Sequence, residues 1–303
     1  GLFSPNFELL LFSRLLEGVA IGTIATIVPP LIIQLAPQKI MSIYMSFFTC
    51  FVGVGQIVIF GLSNYMVDFN NSASFKNVWI FTTILIVLSL LLWIAFVRVP
   101  KKTQPTNKPS VRLSEGFKNP LVWVVCIIVF LSVAGFNGGT NYTMSYCEYR
   151  GVDTEVANSL ATFRSIFVIA SSVLTGFIIA PLKQKTRAKL LIVAAALILL
   201  SFVIMWQYTN KIEAIAAMII IGCGISVMPA IITPMTPVIS GDEKLIGVTN
   251  GFIALGQNLG GVSVGLISGR LLDYAGFGAL STLYIIFGVI IVICSIFLCK
   301  KCS

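Results

Sequence analysis

The chain has no histidine, and only 10% of its residues are charged, against about 25% in ordinary soluble domains. Without histidine it lacks the commonest metal ligand and the commonest general base. Acidic residues are scarcer still, 11 against 20 basic ones, and no paired carboxylates lie within an apolar stretch. A glycine-rich nucleotide loop is also missing. Cys299 and Cys302 have metal-like spacing but no second pair to complete a tetrahedral site. Neither an enzyme, a cofactor nor a bound metal is expected.

What the chain has in abundance is apolar residues, 57% of the total. Runs long enough to cross a bilayer span 7–35, 41–66, 78–97, 121–146, 156–182, 190–208, 215–240, 246–272 and 280–298. These predict an all-α membrane protein with nine transmembrane helices and short polar loops. The first run is too long for a signal peptide and carries Arg14 and Glu17.

Loop charge sets the orientation, because positive residues are retained in the cytoplasm. One side collects Lys39, Arg98, Lys101, Lys102, Lys108, Arg112, Lys118, Lys183, Lys185, Arg187, Lys189, Lys244, Lys300 and Lys301. The other holds Lys76, Arg150, Lys211 and Arg270. The C-terminus is therefore expected in the cytoplasm, in a plasma or inner membrane. The net charge of +9 reflects this topology, so nucleic acid is not an expected partner.

Displacing the sequence by 205 residues matches Pro29 with Pro234, Lys39 with Lys244, Phe47 with Phe252, Gly55 with Gly260, Ser63 with Ser268 and Asp68 with Asp273. Spans one to three thus repeat, in the same direction, as spans seven to nine. Spans four to six find no counterpart. The expected whole is twelve helices in two halves of six, with three N-terminal helices absent from this sequence. Residues 1–99 would end the N-half as helices 4–6, 100–120 form a cytoplasmic linker, and 121–303 make the C-half, helices 7–12.

With this organisation the chain resembles the major facilitator superfamily. Arg14-Leu-Leu-Glu-Gly18, with Gly22 and Pro29, is similar to the family's fourth-helix motif. Gly176 with Lys183, Lys185, Arg187 and Lys189 resembles the C-terminal copy of its basic loop, and Gly256, Gly260, Gly265, Gly269, Asp273 and Gly276 its glycine-rich eleventh helix. Two departures stand out. Ala180 and Pro181 lie near the place of the loop motif's acid, and Gly53-Val-Gly55-Gln56 lacks the glycine-proline motif of many drug antiporters.

Arg14 and Glu17 share a helix face, where pairing lowers the cost of each charge. They are read as a structural brace or a proton-coupling pair. Arg164 lies within span 156–182 without an acid beside it, since Asp153 is about 16 Å away along the axis. A charge so placed is expensive and usually functional. Ser171, Ser172 and Thr175 follow on its face, a stripe that suggests a water-filled path. Arginine suits a carboxylate, because its planar fork donates two parallel hydrogen bonds. The resemblance implies the same, since several anion carriers of the family hold their ligand with an eighth-helix arginine. Asn137, Asn141 and Tyr142 lie in a glycine-rich stretch expected to break span four, and Gln257 and Asn258 are polar exceptions in span eight. These five are candidate cavity residues. Gly261, Gly265 and Gly269 predict close helix packing, and Pro229, Pro234 and Pro237 a kink.

The expected function is secondary active transport, by alternating access, of a small organic anion such as a carboxylate, driven by proton symport or exchange. Partners would be that solute, protons and the lipid bilayer, with the protein a monomer. The alternatives are a carrier for drugs or neutral solutes and a non-transporting membrane sensor or scaffold.

Overall fold

The computed structural model describes residues 6–37, 40–66, 74–96, 113–152, 154–242 and 245–302. Its helices are α1 (Phe7–Leu35), α2 (Met41–Met66), α3 (Phe75–Phe96), α4 (Leu113–Lys118), α5 (Pro120–Tyr149), α6 (Thr154–Ile179), α7 (Gln184–Ile204), α8 (Lys211–Ser240), α9 (Ile246–Ser263) and α10 (Arg270–Cys302). A π-helical turn, Val264–Gly269, joins the last two. Among the described residues there is no strand.

Eight stretches are long and apolar enough to cross a membrane, but the last, Ile246–Cys302, is 57 residues long. That is roughly 85 Å of helix against a hydrocarbon core of about 30 Å. Gly276, at φ 71° and ψ -173°, breaks it, in a region of backbone space open essentially to glycine alone. The break leaves two pieces each long enough to cross, so the eight stretches fit the nine apolar runs.

Short-range chemistry sets the helix ends. Asn119 caps α5 by accepting from Leu121 N, with Pro120 in the first turn, and its amide reaches Ile239 O at 2.9 Å. Asn210 caps α8 by accepting from Glu213 N, while Glu213 Oε2 accepts from Thr209 N and Thr209 Oγ1. Gly241, at φ 71°, ends α8 as a left-handed cap.

Helices α5–α10 share one buried core, whereas the membrane windows of α1 and α3 bury nothing inside the chain. The first three helices attach through α2, which lies along α6, and through α1, which meets α9.

Two expectations need correction. The glycine-rich stretch of span four does not break: α5 runs unbroken through it. Its glycines instead admit neighbouring side chains, since a Cβ on Gly135 would stand 2.2 Å from Phe202, on Gly138 1.6 Å from Tyr284 Oη, and on Gly139 2.5 Å from Met205 Sδ. The closest backbone approaches along α9 and its π-helical turn are also not at Gly261, Gly265 and Gly269, of which Gly269 alone is tight, and against the Tyr142 side chain. Cβ atoms on Gly256 and Gly260 would sit 2.5 Å from Cys126 O and 2.6 Å from Phe130 O, whereas Gly265 meets open space. Within the expected linker 100–120, α4 docks on the bundle: Phe117 lies edge-on to Phe252 at 5.0 Å and beside Trp123 at 5.7 Å. Residues 97–112 lie outside the described residues, as do Lys39, Asp68, Asp153 and Lys244.

Candidate functional site

Arg164 is 1% exposed, the largest of the fully buried side chains. Its turn of α6 is gripped from both sides by glycines. A Cβ on Gly53 of α2 would lie 3.0 Å from Ser165 O and 2.7 Å from Ile169, and one on Gly222 of α8 would lie 2.6 Å from Arg164 O. Neither position has room for a larger residue without moving the backbone that carries the charge.

The guanidinium Nε and Nη2 are buried and have no hydrogen-bond partner among the described residues. These two nitrogens form the side-on edge that presents parallel N–H bonds to a carboxylate. Among the described residues the one ion pair is Arg14 with Glu17, so no described carboxylate neutralises Arg164. Tyr208, itself buried, lies within electrostatic range of it.

Ser171 and Ser172, two of the three hydroxyls that follow Arg164, are spent on helix contacts, which argues against the expected water-filled path. Ser171 Oγ is 2.5 Å from Ser226 Oγ of α8, and Ser172 donates to Ser46 O of α2 at 2.8 Å. Ser165 Oγ lies 2.9 Å from Ala161 O and 3.1 Å from Gln56 Oε1. Gln56, noted in the sequence only as part of a departure from a motif, thus links α2 to the residue next to Arg164. No sequence pattern marks that link, because it joins helices 109 residues apart.

The other candidates form a separate group. Asn137, Asn141, Gln257 and Asn258 are exposed and Tyr142 is half-buried. Asn137 Nδ2 would stand 3.6 Å from a Cβ on Gly261, and Tyr142 Oη 2.9 Å from one on Gly269. Asn258 donates to Ala254 O of its own helix and lies close to Gly22 of α1. These residues gather along α5 and α9, and no hydrogen bond among the described residues ties them to Arg164.

On α1, Arg14 Nη1 donates to Glu17 Oε2 at 2.6 Å, with both side chains about half exposed within the chain, 47% and 51%. The guanidinium also stands 4.8 Å over the Trp79 ring of α3, a second stabilising contact.

The profile of the Major Facilitator Superfamily matches residues 1–261. The chain belongs to that superfamily. It is a multi-pass integral membrane protein and a transporter by family. Among solved structures, this superfamily member is similar to the E. coli fucose:proton symporter, with a TM-score of 0.68 at 18% identity over 98% of this chain and 80% of that one. It is also similar to the proton:xylose symporter XylE bound to 6-bromo-6-deoxy-D-glucose, with a TM-score of 0.66 at 16% identity over 91% and 67%. At such identities the likeness is one of fold. No curated protein matches the sequence significantly.

Proposed function

We propose that this superfamily member moves a small organic anion, a carboxylate, by alternating access between two halves, an N-half that ends in residues 1–99 and a C-half of residues 121–303, joined by the segment between them. The carrying observation is the buried, unpartnered Nε/Nη2 edge of Arg164. A cation held out of water without a partner is costly, and a carboxylate would supply both the missing charge and two acceptors for the fork. Proton symport is the favoured drive, with Arg14 and Glu17 as the coupling pair. The C-terminus, with Lys300 and Lys301, is assigned to the cytoplasm.

A second reading, proton-driven transport of a neutral polyol, has its own support. The similar structures include fucose and xylose symporters, and Asn137 and Asn141 offer exposed amides along α5.

Uptake by the intact natural protein in liposomes separates the two. Under the anion reading a carboxylate is accumulated, and Arg164→Lys, which keeps the charge but loses the fork, lowers its apparent affinity about 10- to 100-fold. Uptake of a neutral sugar that survives Arg164→Ala would replace the anion reading with the polyol one.

A further inference from the structure

A small groove opens in the same α6/α8 seam that holds Arg164. It has a volume of about 250 Å³ and is lined by Val156, Ser159, Leu160 and Phe163 of α6 and by Lys211 and Ile215 of α8, room for about eight waters' worth of volume. The two helices pack along one another here: Ser171 Oγ meets Ser226 Oγ, and a Cβ on Gly222 would press on Arg164 O. Leu160, which walls the groove, lies four residues before Arg164, about one helical turn along the same face of α6.

The lining has an unusual division of labour. Val156, Leu160, Phe163 and Ile215 give apolar walls, while the one charge is the Lys211 ammonium. The acid nearest to it in sequence, Glu213, is committed elsewhere, its Oε2 accepting from the backbone and side chain of Thr209. A polar solute such as a dicarboxylate or sugar acid would leave hydroxyl or carboxylate groups against hydrocarbon without partners, which is unfavourable. An aliphatic or aromatic body would not. Two cations of different burial, exposed Lys211 at the groove and buried Arg164 further along α6, suit a single anionic head passing from the first to the second.

We propose that this groove is the subsite for the body of the transported anion, and that the substrate is a monocarboxylate with an apolar tail or ring. The proposal rests on the anion reading of Arg164 and adds the class of the anion. Lys211 draws the carboxylate in, Arg164 takes it on its open edge, and the groove walls cover the apolar remainder.

The test is calorimetric binding of acetate, hexanoate, phenylacetate and succinate to the purified intact protein. Hexanoate and phenylacetate should bind at least about tenfold more tightly than acetate, since each buried methylene contributes about fourfold, and succinate should bind no better than acetate. Ile215→Asn, or Ile215→Thr where the former folds poorly, should remove that preference, so that hexanoate and phenylacetate bind no better than acetate. Lys211→Gln should weaken all the monocarboxylates several-fold. Equal affinity for acetate and hexanoate, or a preference that survives both Ile215 variants, overturns the proposal while the anion site stands. Carboxylate binding that is indifferent to Arg164→Ala overturns the anion reading itself, and the subsite with it.

Discussion

Arg14 and Arg164 both interrupt long apolar helices, yet the structure treats them in opposite ways. Arg14 is half-exposed within the chain, ion-paired to Glu17 one turn on and stacked over Trp79. Arg164 is sealed between α2, α6 and α8 with two donors unused. Arg14 carries its counter-charge on its own helix, which lowers the cost of each charge within a span. A buried lone cation works against folding by several kcal/mol. The comparison teaches that only Arg164 needs a reason outside stability for being where it is.

The strongest way to break this contrast is to remove the buried charge while keeping the volume. Arg164→Met should raise the stability of the ligand-free protein by about 1–4 kcal/mol, read as a higher melting temperature, while carboxylate uptake disappears. A lower melting temperature would show that the charge is already balanced in the resting protein, leaving Arg164 as a brace like Arg14.

A smaller effect comes from the grip on its turn. Gly222→Leu would press a side chain against Arg164 O, which a Cβ alone approaches to 2.6 Å, and should cost about 1–3 kcal/mol through overpacking. Affinity for a carboxylate should fall with it, because the fork is displaced with its backbone. Gly265→Leu, on a face with nothing within 4 Å of the Cβ position, serves as the control. If both variants bind and melt alike, the clamp does not position the arginine.

The difference between the two arginines was half legible in the sequence. A three-residue spacing on a helix is a local fact, so the pairing of Arg14 with Glu17 followed from geometry alone, as did the long apolar helices from run lengths. The burial of Arg164 also followed from its place in an apolar run. Its surroundings did not. Gly53 and Gly222 read as ordinary membrane glycines until the fold brings them against one turn of α6, and Gln56 acquires meaning only through Ser165, 109 positions away. The polar stripe misled for the same reason. A serine on a helix looks identical whether it faces water or, as Ser172 does, the carbonyl of Ser46. Likewise Gly135, Gly138 and Gly139 signalled a broken helix by propensity, but the cost of three glycines in α5 is offset by the ring and thioether packing that they admit.

The smallest effect should come from the other arginine. Glu17→Gln removes a half-exposed partner, and Arg14 keeps its stack on Trp79, so the melting temperature should change by no more than about 1 kcal/mol of stability. If the pair couples transport to protons, the same variant should lose accumulation driven by an imposed pH gradient yet retain exchange of labelled for unlabelled carboxylate across equal pH. Retained gradient-driven accumulation would assign the pair to bracing alone. A stability loss of several kcal/mol would mean that the pair is far less exposed in the membrane than its surface within the chain implies, and the contrast between the two arginines would then narrow from energetics to partnership: one supplied with its counter-charge by its own helix, the other left to receive it from a ligand.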